Sequence, residues 1–188
     1  GAPAAADSTG TALQNRAIRW GDAMDAARQL LVFQRLGGEF AFANFSNLAN
    51  AWGQNVLECP KKGCYLSSTG RIFELFSAYP AAWPLRLEID GEDPAVVAQA
   101  AWDASRERLI LIALNFHGEK AELSWDLSSL GLTRSQAELI TLTAASPGSF
   151  NTMDQPDAIS RSVEEKKRLG ERVLFSLPPH SVMMAVTK

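Results

Sequence analysis

Three asparagines, Asn44, Asn47 and Asn50, recur at helical spacing just after the apolar run Phe40-Ala41-Phe42-Ala43. A carboxamide offers two donors and an acceptor, so it can engage neighbouring hydroxyls of a sugar. The same side chains also cap and turn backbone, and the residues alone leave both roles open. Cys59 and Cys64 bracket Pro-Lys-Lys-Gly, which is not a CxxC spacing and has no further metal ligands nearby. Lacking other partners, the two are expected to join in a disulfide that closes a short ring and favours an oxidising compartment. His117 and His180 stand beside Gly118 and Pro179 and read as turn residues, so neither a metal nor a cofactor is expected.

Composition limits the function classes. The 188 residues are 46% hydrophobic and 21% charged, as expected of a globular chain long enough for one sizeable domain or two small ones. A net charge of -3 argues against a nucleic-acid partner, because nothing would neutralise a row of phosphates. No apolar run approaches membrane-spanning length.

The elements that must position the asparagines can be read outward from them. Residues 1–10 are a low-complexity lead, expected to be mobile. Thr11 to Leu36 reads as one amphipathic helix, with Leu13, Ala17, Trp20, Met24, Ala27, Leu30 and Leu31 on its apolar face. Gly37-Gly38 is a suitable stop, since glycine takes the left-handed conformation that ends helices. Phe40 to Phe45 then reads as a buried strand, and Arg71 to Tyr79 as a short helix stopped by Pro80.

From Trp83 the pattern changes to short strands separated by turn residues. The candidates are Leu85–Ile89, Val96–Trp102, Leu109–Phe116, Ala121–Asp126, Ala137–Leu142, Arg172–Leu177 and Ser181–Val186. Asp103-Ala104-Ser105-Arg106 and His117-Gly118-Glu119 suit turns. Leu109 to Phe116 is nearly continuous apolar sequence and should be a central strand covered on both sides. Ala144 to Gly170 reads as an irregular surface connection. The expected fold is an α/β segment followed by an all-β antiparallel sandwich.

These stretches resemble, in order, the C-terminal part of a glycoside hydrolase family 51 α-L-arabinofuranosidase. Ala43-Asn44-Phe45-Ser46-Asn47-Leu48-Ala49-Asn50 is similar to the surroundings of the family's last barrel strand. Ala26-Ala27-Arg28-Gln29-Leu30 and Gly70-Arg71-Ile72-Phe73-Glu74-Leu75-Phe76 resemble its last two barrel helices. Asn151-Thr152-Met153-Asp154-Gln155-Pro156-Asp157-Ala158-Ile159 is similar to its asparagine-proline connection, and Leu177-Pro178-Pro179-His180-Ser181-Val182 to its final strand entry.

The resemblance implies three regions: the lead 1–10, the last helix–strand–helix units of a (β/α)8 barrel over 11–79, and a sandwich over 80–188. It also implies an arabinose-containing oligo- or polysaccharide as substrate and a secreted or periplasmic setting. Asn47 matches a family glutamine that reaches the bound arabinose, one methylene shorter here. Trp52 follows closely enough to line a sugar subsite by stacking, whereas Trp83, Trp102 and Trp125 fall in sandwich strands where core packing is the default. Asn44 and Asn50 match positions that support the turn.

A retaining glycosidase needs two carboxylates flanking the scissile bond. In the resembled family both glutamates precede the part matched here. Glu39, Glu58, Glu74, Glu88 and Glu92 lie at strand ends, turns or an outer helix face and read as solvated carboxylates. The chain alone should therefore not hydrolyse a glycoside. A second polypeptide carrying the rest of the barrel is the expected partner, and the complete enzyme is a candidate homo-oligomer. The competing expectation is a non-catalytic carbohydrate-binding or structural sandwich.

Overall fold

In the computed structural model, residues 17–37, 39, 45, 48–50, 55–88, 90, 93–131 and 135–188 are described. Two helices, α1 (Trp20–Arg35) and α2 (Ser68–Ala78), flank a small hairpin of β1 (Leu57–Glu58) and β2 (Tyr65–Leu66). Eight strands follow: β3 (Trp83–Pro84), β4 (Val96–Trp102), β5 (Leu109–Asn115), β6 (Ala121–Asp126), β7 (Ser135–Thr143), β8 (Ser160–Leu169), β9 (Arg172–Leu177) and β10 (Ser181–Thr187). Six form one antiparallel sheet in the order β3-β4-β5-β10-β7-β8, while β6 and β9 pair with each other as a separate ribbon.

The strands sort their side chains with a period of two. In β5, Ile110, Ile112 and Leu114 face one way, together with Val182, Met184 and Val186 of β10. Leu109, Leu111 and Ala113 face the other way, with Met183 and Ala185. The first set packs under α1 and α2; the second packs under the ribbon, against Trp125, Val173, Phe175 and Leu177. Every residue of β5 and β10 is buried, which is the two-sided cover that the continuous apolar run of β5 requires. The architecture is thus helices, six-stranded sheet and ribbon in three layers, an antiparallel sandwich with few helices.

The apolar face of α1 is covered from within the chain. Trp20, Ala23, Met24, Ala27 and Leu31, at spacings of three and four, join the sheet and α2 in a single core. The helix begins later than its sequence pattern predicts, because residues 17–19 are irregular. The reason is tertiary. The Trp20 and Gly21 amides donate to the Ser149 and Pro147 carbonyls, at 2.7 and 2.8 Å, and so find acceptors in a distant loop. The Trp20 indole also donates to the His180 carbonyl at 2.6 Å. At the other end, Gly37 is not left-handed; its amide closes a turn on the Gln34 carbonyl.

α2 starts three residues earlier than expected. Ser67 caps it by accepting from the Gly70 amide at 2.9 Å. Two strand expectations are also corrected. Leu85–Ile89 is not a strand among its described residues; pairing there is limited to β3 and to the Leu85 amide on the Ala100 carbonyl. Ala144–Gly170 is not irregular throughout, because 160–169 form β8. Its described side chains are all exposed, so no apolar alternation marked it, and its backbone pairing with β7 holds it in place. His117 and His180 do sit in turns.

Candidate functional site

The expected sugar-binding residues Asn47 and Trp52, with Asn44 and most of the strand Phe40–Phe45, lie outside the described residues. Their flanks are described. On one side, the Phe45 ring packs on Phe73 of α2, with centroids 4.8 Å apart. On the other, residues 48–50 dock on the β1 hairpin. The Leu48 carbonyl accepts from the Val56 and Leu57 amides, and the Asn50 amide donates to the Leu57 carbonyl at 3.1 Å. A parallel bridge pairs Ala49 with Leu57.

Asn50 supports this turn as its position suggested, by a route the sequence did not show. Its Oδ1 accepts from the Cys59 amide at 2.6 Å and its Nδ2 donates to the Cys59 carbonyl at 3.1 Å. The side chain thus completes a two-bond pairing that a backbone strand would otherwise provide. Its own φ of 54° is left-handed, a conformation asparagine tolerates better than most residues. The only sequence signal for this clamp is an asparagine nine residues before a cysteine, which is too weak to use.

Cys59 and Cys64 are joined, with Cα atoms 4.0 Å apart. The disulfide closes the hairpin whose far strand leads directly into the Ser67 cap of α2. The Ser67 hydroxyl donates to the Asn55 carbonyl at 2.6 Å, and buried Ser68 donates to the Ile18 carbonyl at 2.8 Å. Gly70 allows this close approach, since a Cβ there would lie 2.2 Å from the Val56 carbonyl oxygen.

Each described carboxylate that the sequence singled out is exposed or has a polar partner. Glu58 accepts from Asn55 Nδ2 at 3.1 Å and lies near Tyr65, whose phenol is pushed up by burial first and by the Glu58 charge second. Glu74 pairs with Arg71 at 3.2 Å and Glu88 with Arg86 at 3.8 Å. Glu39 is exposed, and Glu92 lies outside the described residues. Among the described residues, no group of three or more His, Cys, Asp and Glu is placed to hold a metal ion. Around residues 45–66 the described carboxamides of Asn50 and Asn55 are engaged within the chain, with Cys59 and Glu58.

A second polar cluster lies on the sandwich, where a groove of about 790 Å³ runs between β4 and β6. Asp93 bridges it to His117, with Nε2 2.8 and 3.0 Å from the two carboxylate oxygens. That bond, and a second from the Ala95 amide, hold the Asp93 carboxyl below its usual range. Sequence reading also missed the staple between the layers. Asn151 Nδ2 donates to the Leu66 carbonyl at 3.0 Å and its Oδ1 accepts from the Ile159 amide at 2.9 Å. Nearby, Arg71 of α2 reaches the Pro156 carbonyl and Asp157.

The fold is an antiparallel sandwich with two helices packed on one face. Residues 4–181 match the model of the α-L-arabinofuranosidase C-terminal domain, and the chain belongs to that family. Solved structures share the fold. A thermostable family 51 α-L-arabinofuranosidase from Thermotoga petrophila RKU-1 superposes with a TM-score of 0.82 at 17% identity, covering 90% of this chain and 38% of its own. The family 51 arabinofuranosidase from Xanthomonas axonopodis pv. citri gives 0.75 at 23% identity, covering 90% and 36%. The catalytic domain of a family 30 xylanase C from Talaromyces cellulolyticus gives 0.63 at 18% identity, covering 92% and 37%. The chain therefore spans little more than a third of each of these proteins. No curated protein matches it in sequence.

Proposed function

We propose that this chain is the C-terminal part of an α-L-arabinofuranosidase-like retaining glycoside hydrolase. In this reading residues 11–79 supply the last units of the catalytic barrel and residues 80–188 the accessory sandwich. The observation that carries it is the family match over residues 4–181, together with coverage of only about a third of the related enzymes. Both catalytic glutamates come from a separate segment that packs against residues 11–79. Asn47 contacts the arabinose, and Trp52 lines a sugar subsite by stacking.

The substrate is an arabinose-containing glycan. A disulfide and a glycan-directed activity both suit a secreted or periplasmic setting, and no described helix is long and apolar enough to cross a membrane. The test is reconstitution. Intact mass of everything that copurifies should reveal a larger polypeptide, and only the complex should cleave an aryl α-L-arabinofuranoside. If light scattering shows a stable monomer that cleaves this substrate, and mutating one of its own glutamates abolishes cleavage, the reading is wrong.

A further inference from the structure

Trp83 does not pack into the core. It stands 48% exposed on the short edge strand β3, directly across from Trp102 of β4. Residues opposite each other in an antiparallel pair share a face, so the two side chains leave the sheet on the same side, at its rim. Trp102 is half-buried and packs toward the ribbon, while Trp83 is left at the surface.

The exposed ring is held in one orientation by the β4–β5 turn. Asp103, only 5% exposed, accepts from the Ser105 hydroxyl, the Glu107 and Arg108 amides and the Arg108 guanidinium. These bonds, the Arg108 guanidinium first among them, hold its carboxyl down to about 2. The Arg106 amide closes on the Asp103 carbonyl at 3.1 Å, and Arg106 takes a left-handed φ of 60°. That conformation places its guanidinium 4.4 Å over the Trp83 ring. The Trp83 indole N–H also points to the Ala104 carbonyl, at 3.4 Å.

We infer that Trp83, with Arg106 stacked over its ring, is a surface binding site for a pentose polysaccharide. A fixed, half-open indole is a platform for the C–H face of a sugar ring. The Arg106 guanidinium supplies N–H donors that ring hydroxyls can accept. A platform that is already ordered loses little entropy when it binds. The choice of a pentosan rests on the arabinofuranosidase reading; the platform itself rests on the geometry.

Affinity electrophoresis of this chain in native gels containing soluble linear arabinan tests the proposal, with dextran gels as control. The wild-type chain should be retarded by arabinan and not by dextran. Trp83→Ala should weaken binding about fivefold, Trp83→Tyr should keep part of it, and Arg106→Ala should fall between. Leu174→Ala, which removes another exposed apolar side chain, should change nothing. No retardation of the wild-type chain, equal retardation by dextran, or undiminished binding by both Trp83→Ala and Arg106→Ala would overturn the inference. Equal melting temperatures check that the variants are folded. Failure of the reconstituted complex to cleave an aryl arabinofuranoside would sink the catalytic reading without changing the gel result, so the two failures are distinguishable.

Discussion

The six-stranded sheet and the segment around the disulfide hairpin are built on opposite physical terms. β5 and β10 are held by apolar burial on both faces, a force without direction that scales with area. The hairpin strands β1 and β2 are two residues each, and half-buried. Their shape comes from directional bonds: the Asn50 clamp, the Leu48 carbonyl taking two amides, the Ser67 cap and the Cys59–Cys64 bridge. The sheet tolerates a polar neighbour poorly but does not depend on any one bond. The hairpin depends on individual atoms and buries little. A segment of the second kind suits the border of a binding site, where side chains must be aimed and backbone must stay near solvent.

If that contrast holds, Ile112→Ala should have the largest effect. The side chain is fully buried between the helices and the sheet, so truncation should cost about 3–4 kcal/mol and lower the urea midpoint without changing the slope. A cost below about 1 kcal/mol would mean that the helix-side core is looser than its burial implies.

Gly70→Ala tests the seam between the two regions. A Cβ 2.2 Å from the Val56 carbonyl oxygen forces backbone to move, and about 2–3 kcal/mol should be lost. Hydrogen exchange should rise in residues 55–58 and at the start of α2 more than in β5.

Asn50→Ala removes the clamp and leaves a left-handed alanine, which should cost about 1–2 kcal/mol. The Cys59 amide should lose exchange protection while the amides of β5 and β10 keep theirs. Loss of protection across the sheet would show that the two regions unfold as one unit.

The smallest effect concerns acid. The Asp103 carboxyl sits at about 2, below its ordinary value of ~3.9, so folding favours its charged form. This contribution is complete above about pH 4 and fades as pH falls toward about 2. Asp103→Asn should therefore lower the melting temperature at neutral pH and differ least from the wild type near pH 2, which flattens the acid limb of a pH–melting curve. An unchanged acid limb would remove Asp103 from the account of the turn.

Much of the sheet was legible because its signal is local. β4, β6 and β9 fall where their apolar and turn residues predict, and β5 and β10 differ only by a residue at one end. Trp125 is buried as expected. The disulfide was legible, since Cys59 and Cys64 carry their chemistry in their side chains. How Asn50 acts was not legible, because its partner is the backbone of Cys59 and any residue there would present the same atoms.

The sequence by itself determined which segments bury apolar side chains, since that depends on composition and period within a single strand or helix. The tertiary structure decided where α1 begins, because the acceptors for its first amides are carbonyls of residues 147 and 149. It decided that β8, charged and exposed, is a strand, because β7 offers it a backbone edge. It also left Trp83 in solvent, although its residue type favours burial, because β3 is the edge of the sheet and the turn beside it stacks an arginine on the ring. In each case the deciding atoms belong to residues far along the chain, and no local pattern can register them.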